Sequence, residues 1–456
     1  MSHIAGQALA TRSLSALGGM LRRYTHESLY RNSLFIMATT ALNSAFGYLY
    51  WIIAARSFNT HDIGTASALI SAVILVSLLS NLGVGSTLVQ LLPTRPSGVR
   101  WAATINTGLL LGFSSGLIGG VGLIIAVPFF LHYSGSEPYT LYSSALLVLA
   151  VPLWNLCLIL DNIFTAELSS GKALIRNLAF ILLKILLLLP PFVISMKGKQ
   201  DGLGLLLLLF SWIFSSLLSV FVGLALVVRL RRGYSITLKP LRTQVKLLWS
   251  RSFSHYLINL GSSTPMYILP VLVATRLSVT DNAYFYLTWM LGNVFFMVSP
   301  AVALALFAEG SQAHLGLGQQ VRKSLTLTLL LLVPVIAFFM LAGRLMLTIF
   351  GPSYPNHGYI LLCLLAVSSV PDAITNIFVS VLRINLHLTS ALLLNMCMGI
   401  LAVALSWFLL PLLGIAAVGW SWLAAQCCGS LFVGLRVLRF QDFAKKKEVG
   451  EALVIS

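Results

Sequence analysis

RLRRGYSITLKPLRTQVKLLWSRS, residues 229–252, is the longest polar interruption in an otherwise apolar chain. It holds seven basic residues: Arg229, Arg231, Arg232, Lys239, Arg242, Lys246 and Arg251. Six apolar segments precede it, near 32–54, 63–92, 101–130, 139–166, 173–195 and 203–228. Six follow it, near 253–275, 282–307, 323–343, 357–382, 388–410 and 414–435. Each is close to the roughly 20 apolar residues a helix needs to cross a bilayer. The expected fold is an all-α integral membrane protein of about twelve transmembrane helices, spans 1–12, in two six-helix lobes. The lobes cover 32–228 and 253–435, with 229–252 as the inter-lobe linker. Basic segments, 1–31 and 436–456, flank them. Prolines at Pro152, Pro190, Pro191, Pro265, Pro270, Pro300, Pro334 and Pro371 are expected to break several spans.

Composition agrees. Of 456 residues, 58% are apolar and only 9% charged, against about 25% charged in soluble domains. The net charge of +17 suggests nucleic acid until the basic residues are placed. With the N-terminus inside, 23 of the 29 fall on cytoplasmic segments and five on external ones, at Arg56, Lys197, Lys199, Arg276 and Arg344. Lys184 alone lies within a span. This is a strong positive-inside bias, and it puts both termini in the cytoplasm. The charge serves orientation and attraction to anionic lipid, and no nucleic-acid partner is expected. The N-terminal arm has no apolar core ending in a cleavage site, so no signal peptide is expected. It reads either as a helix on anionic headgroups or as a disordered tail. Cys157, Cys363, Cys397, Cys427 and Cys428 all sit in apolar runs and read as buried thiols.

The halves resemble one another. Arg56 and Thr60 match Arg276 and Thr280 at an offset of 220, and Asn162-Ile163-Phe164 matches Asn376-Ile377-Phe378 at 214. Because six is even, both halves start inside and the repeat is parallel. Two such lobes can rock about a shared cavity.

Residues 32–93 carry Ala54-Ala55-Arg56-Ser57-Phe58, Asp62-Ile63-Gly64, Ala66-Ser67-Ala68, Leu82-Gly83 and Leu91-Leu92-Pro93. This stretch resembles the first two spans of the Wzx-type polysaccharide transporters of the multidrug/oligosaccharidyl-lipid/polysaccharide exporter superfamily. The resemblance implies a V-shaped helical protein of the cell (inner) membrane. Its work would be to move oligosaccharide linked to a polyprenyl diphosphate from the cytoplasmic to the outer leaflet by alternating access, for surface polysaccharide biosynthesis. Polysaccharide polymerase or assembly proteins are candidate partners, and a monomer is expected to suffice.

Such a cargo needs cations for phosphates, amides or hydroxyls for sugars, and aromatic faces for stacking. Span 1 places Asn32, Thr39, Asn43 and Tyr50 on one helical face; span 7 places His255, Asn259, Ser262 and Ser263 at helical spacing. Asn43, His255 and Asn259 are candidate substrate contacts, against interhelical hydrogen bonding as the plainer explanation. Lys184 lies near the bilayer midplane, where a bare charge is expensive. It reads either as an ion pair with Asp161 or as a diphosphate contact or charge relay. Asp372 reads either as an ion-coupling carboxylate or as a cap on a helix restarted after Pro371. Arg31 and Arg383 are candidate phosphate contacts at the inner mouth or snorkelling residues. Arg56 and Arg276 are expected at an outer gate or as anchors, with Asp62 and Asp281 as nearby partners. Gly108, Gly112, Gly116 and Gly120 form a small-residue stripe for close helix packing.

No G-x-x-x-x-G-K-[ST] loop and no H-E-x-x-H occurs, so neither ATP nor a metal or other cofactor is expected. The competing readings are an ion-coupled multidrug or small-molecule exporter of the same superfamily, and a membrane glycosyltransferase or polysaccharide polymerase. Short external loops with only isolated acids, Glu137 and Asp201, count against an enzyme.

Overall fold

A computed structural model describes residues 28–96, 98–131, 138–190, 203–231, 234–236, 264–310, 317–384 and 388–454. Among these the chain is helical throughout, without strands. The first half contains α1 (Ser28–Ser57), α2 (Thr60–Ser80), α3 (Val84–Leu91), α4 (Val99–Leu131), α5 (Pro138–Ala166), α6 (Ser170–Leu186) and α7 (Leu203–Val228). The second contains α8 (264–276), α9 (Val279–Gly292), α10 (Phe295–Gly310), α11 (Leu317–Thr348), α12 (Tyr354–Ile384), α13 (Leu388–Leu413) and α14 (Ala416–Val454). Spans 2 and 8 are each divided, into α2 and α3 and into α9 and α10. Among the described residues ten stretches are long and apolar enough to cross a membrane. Ile118, Leu330, Leu341, Phe408 and Leu412, between 70% and 88% exposed, mark surfaces whose solvent is hydrocarbon.

The repeat is visible in the element starts. Helices begin at Thr60, Val99, Pro138, Ser170 and Leu203 in one half. In the other they begin at Val279, Leu317, Tyr354, Leu388 and Ala416, each 213 to 219 residues later. Within the first half α5 packs on α4 and α7, and α6 on α1 and α7; within the second α12 packs on α10, α11 and α14, and α13 on α14. The halves meet mainly where α2 packs on α9, with α1 on α9 beside it. Spans 2 and 8 are repeat equivalents. Equivalent helices meeting across the seam is the geometry of an approximate two-fold axis between the lobes.

That seam is tight because residue 64 has no side chain. A methyl there would overlap the Val279 carbonyl oxygen. The Asn282 amide donates to the Gly64 carbonyl at 2.8 Å and the Ser67 hydroxyl at 3.0 Å, both buried. Nearer mid-span, the Tyr48 hydroxyl donates to the Met290 carbonyl at 2.7 Å, and Trp51 meets Tyr286 edge-on at 4.9 Å. At the far rim Arg56 donates to the Thr348 and Ile349 carbonyls at 2.7 and 2.8 Å. These are C-terminal carbonyls of α11, where a cation complements the helix dipole. The seam is therefore closed from the Arg56 face to about mid-depth.

Several sequence expectations change. Pro152, Pro300, Pro334 and Pro371 lie inside continuous helices, because a proline removes one backbone bond that neighbouring groups in a bundle re-satisfy. The observed breaks, at 81–83 and 293–294, contain no proline. At the first, Leu82 and Gly83 are left-handed, with φ of 53° and 72°. Cys157 is a buried thiol, but Cys397, Cys427 and Cys428 are exposed: in a bilayer an apolar run is as often lipid-facing as buried. The glycine stripe does receive a close helix. A methyl at Gly116 would lie 2.6 Å from the Pro152 Cα of α5, and one at Gly120 would lie 2.5 Å from the Val148 carbonyl oxygen.

Candidate substrate cavity

A cavity of about 360 Å³ lies within the first lobe, at its edge against the seam. Its walls come from five helices of the first half, α1, α2, α5, α6 and α7, and from Tyr286 of α9. Two kinds of chemistry face it. One side is polar, with Asn43, Asp161, Arg176 and Asn177; the other is aromatic, with Tyr50, Trp51, Trp154, Phe180 and Trp212 around Lys184.

The polar side is a connected network. Arg176 forks onto Asp161, Nε to Oδ1 at 3.0 Å and Nη2 to Oδ2 at 2.6 Å, while Nη1 donates to the Ser219 hydroxyl at 2.6 Å. The Asn177 amide donates to Asp161 Oδ1 at 3.2 Å, and Asn43 donates to Asn177 Oδ1 at 3.3 Å. A guanidinium with its planar fork filled is the arrangement in which a charge survives burial. α6 makes this possible: residues 173, 176, 177, 180, 181 and 184 are all buried, a helical stripe aimed at the lobe interior.

Lys184 differs. It is 8% exposed, and no carboxylate pairs with it among the described residues, where the ion pairs are Arg176–Asp161 and Arg231–Glu167. Its Nζ sits 4.4 Å from the Tyr50 ring centroid and 5.0 Å from that of Phe180, close enough for ring faces to attract the cation. The Tyr50 hydroxyl is tied at 3.0 Å to Ser211, which fixes the ring. Beside it Trp154 and Trp212 stack at 4.8 Å. The Lys184–Asp161 ion pair weighed from sequence is thus corrected: Arg176 takes Asp161.

Arg176 is what sequence reading missed. It falls three residues into the segment expected as span 5, where a basic residue reads as interfacial charge on the cytoplasmic side. In the structure it is 3% exposed. The available signal was helical spacing: Arg176, Phe180 and Lys184 recur every four residues.

The second half has a smaller polar cavity of about 200 Å³, lined by Asp372, Asn376, Asn395 and Gln426 among others. Asp372 Oδ2 accepts from the Ser299 hydroxyl at 2.6 Å and from the Asn376 amide at 2.9 Å. α12 runs through Pro371 without a break, so there is no restarted helix for Asp372 to cap, and that alternative is withdrawn.

The two expected gate arginines separate. Arg56 crosses the seam, whereas Arg276 lies 4.5 Å over the Trp407 ring of its own half. Asp281 does not meet Arg56; it accepts from Ser278 at 2.6 Å at the start of α9. Arg31 and Arg383 stand in end turns of α1 and α12, and their side chains lie outside the described set. His255, Asn259, Ser262 and Ser263 also lie outside the described residues. The cross-lobe contacts that are described run between spans 2 and 8, and from span 1 to spans 8 and 9.

The start of the linker is fastened to the first lobe. Arg231 donates to Glu167 at 2.7 Å and to the Arg95 carbonyl at 3.0 Å, and the Trp101 indole donates to the same Glu167 at 2.8 Å. The Tyr234 hydroxyl, its pKa raised by burial, donates to Asn106 at 2.6 Å.

No protein-family model matches the chain, and no curated protein matches it. Solved structures do. An inward-facing multidrug resistance MATE family transporter of the MOP superfamily aligns with a TM-score of 0.68 at 17% identity, over 88% of this chain and 95% of that one. The fold is that of the MOP-superfamily transporters. The lipid II flippase MurJ, in an inward closed conformation, gives a TM-score of 0.68 at 14% identity over 89% of this chain and 87% of its own. A MOP superfamily transporter from Pyrococcus furiosus, whose binding pocket is described as reversed in polarity, gives 0.61 at 16% identity over 92% and 96%.

Proposed function

We propose that the chain is a membrane transporter that moves oligosaccharide linked to a polyprenyl diphosphate from the cytoplasmic to the outer leaflet, by rocking its two lobes about the seam cavity. One observation carries the reading: among the described residues Lys184 has no acid partner and is buried among aromatic faces. A phosphate supplies the missing partner, and the Trp154–Trp212 platform offers the flat faces that sugar rings stack on. Asn43 and Asn177 supply amides for hydroxyls. The charge asymmetry supports placing the linker face and both termini on the cytoplasmic side, which makes the Arg56 face the outer side. On that assignment the seam is shut outside, and Arg56 belongs to the outer gate. Asp372, buried and without a cation partner among the described residues, is the residue we assign to ion coupling. Arg31, Arg383, His255 and Asn259 remain candidate contacts toward the inner mouth, and Arg276 an outer anchor.

A second reading has its own support. Asp161 turns 36% of its side-chain surface to the cavity, and a carboxylate there suits a cationic small molecule, as in a multidrug exporter. Depletion of the protein in cells separates the two. The flippase reading expects lipid-linked oligosaccharide to accumulate on the cytoplasmic leaflet and surface polysaccharide to fall. Unchanged leaflet pools together with heightened sensitivity to cationic drugs would overturn it in favour of the exporter.

A further inference from the structure

The two cations of the seam cavity are not equivalent. Among the described residues Lys184 meets ring faces and no acid, whereas every arm of Arg176 is engaged, two on Asp161 and one on Ser219. Asp161 is held as a bound oxyanion is held: by a planar guanidinium fork and by the Asn177 amide. It also stands in front of its partner. Asp161 has 36% of its side-chain surface accessible, Arg176 only 4%, and both border the cavity.

We propose that Asp161 masks a second oxyanion site on Arg176, and that a ligand carrying one oxyanion on Lys184 and another beyond it displaces the carboxylate. The inference rests on the transport reading above. Arg176 and Lys184 are eight positions apart on α6, about 12 Å along its axis, and both have long stems directed into one cavity. Displacement does not strand a dry charge, because Asp161 already faces the cavity. The masking keeps the empty cavity close to neutral on its polar side and leaves Lys184 to capture the first anionic group. The second oxyanion is the outer phosphate of a diphosphate or the carboxylate of an acidic sugar; both fit a guanidinium fork.

The test uses the full-length protein in nanodiscs of uncharged lipid, titrated with polyprenyl monophosphate, polyprenyl diphosphate, and polyprenyl diphosphate saccharides with and without a uronic acid. Asp161→Asn keeps the shape and one acceptor for Arg176 but removes the competing charge. It is expected to tighten binding of the ligands with a second oxyanion about tenfold or more and to leave the monophosphate within about twofold. Asp161→Asn/Arg176→Gln removes both charges. It is expected to lose that gain and to bind two-oxyanion ligands more weakly than wild type, with unchanged monophosphate affinity; this comparison stands even if the single variant does not fold. A gain with the diphosphate identifies the second phosphate, and a gain confined to the uronic acid ligand identifies the sugar carboxylate. Equal changes for all ligands, no change, or a gain that persists without Arg176 overturns the masking. Failure of Lys184→Gln to weaken monophosphate binding overturns the underlying transport reading instead.

Discussion

Gly64 and Lys184 show how single residues set this molecule's behaviour. At Gly64 even one methyl meets the Val279 carbonyl, a backbone atom that cannot turn aside. Gly64→Ala is expected to cost about 1–3 kcal/mol of stability, read as a lower melting temperature in detergent, and to loosen the seam; an unchanged melting temperature contradicts the packing described. Lys184 was legible in the sequence because a lone charge so deep in an apolar run needs a reason. Its partner was not, because a nearby acid in the adjacent span looked sufficient. Asp161 and Arg176 stand on either side of a short turn, and only the helix rotations decide that Arg176 reaches the carboxylate while Lys184 points to the rings. Lys184→Arg keeps the charge, so it should bind polyprenyl monophosphate within about tenfold of wild type, where Lys184→Gln loses more.

At the level of elements, spans 2 and 8 form the seam and are each interrupted without proline. Leu82 in the left-handed region costs about 1–2 kcal/mol relative to a residue without a Cβ. Leu82→Gly is therefore expected to stabilise the protein by about 1 kcal/mol, measured by thermal unfolding; a lowered melting temperature would contradict it. The boundaries of most spans were readable from hydropathy to within a few residues, whereas these breaks were not, since the turn formers there, Asn81 and Gly83 and then Gly292 and Asn293, are too brief an interruption to end a span by hydropathy. The linker start is a second case. Residues 229–236 read as a plain basic connection, yet Glu167 holds both Arg231 and Trp101. Glu167→Ala removes the acceptor from both and is expected to cost about 1–3 kcal/mol; denaturation of the purified protein checks it.

For the whole molecule, the repeat offset of about 220 residues was the sequence feature that carried most, because it turned twelve spans into two lobes before any contact was known. What sequence could not supply was which equivalent helices meet. That depends on the absence of a side chain at Gly64 and on one amide, Asn282, spanning the seam. If the lobes rock, this seam must open. In a variant whose native cysteines are replaced, Ser67→Cys/Asn282→Cys is expected to cross-link under oxidation and stop transport, with recovery on reduction. Full transport by the cross-linked protein would contradict the rocking movement. The central claim, that the seam cavity carries an anionic lipid-linked saccharide on Lys184, is tested most directly by flipping in proteoliposomes loaded with polyprenyl diphosphate oligosaccharide. Wild type is predicted to expose the saccharide to an enzyme outside the vesicles, and Lys184→Gln, folded and inserted equally well, to leave it protected; equal exposure by both proteins, or none by wild type, would contradict the account.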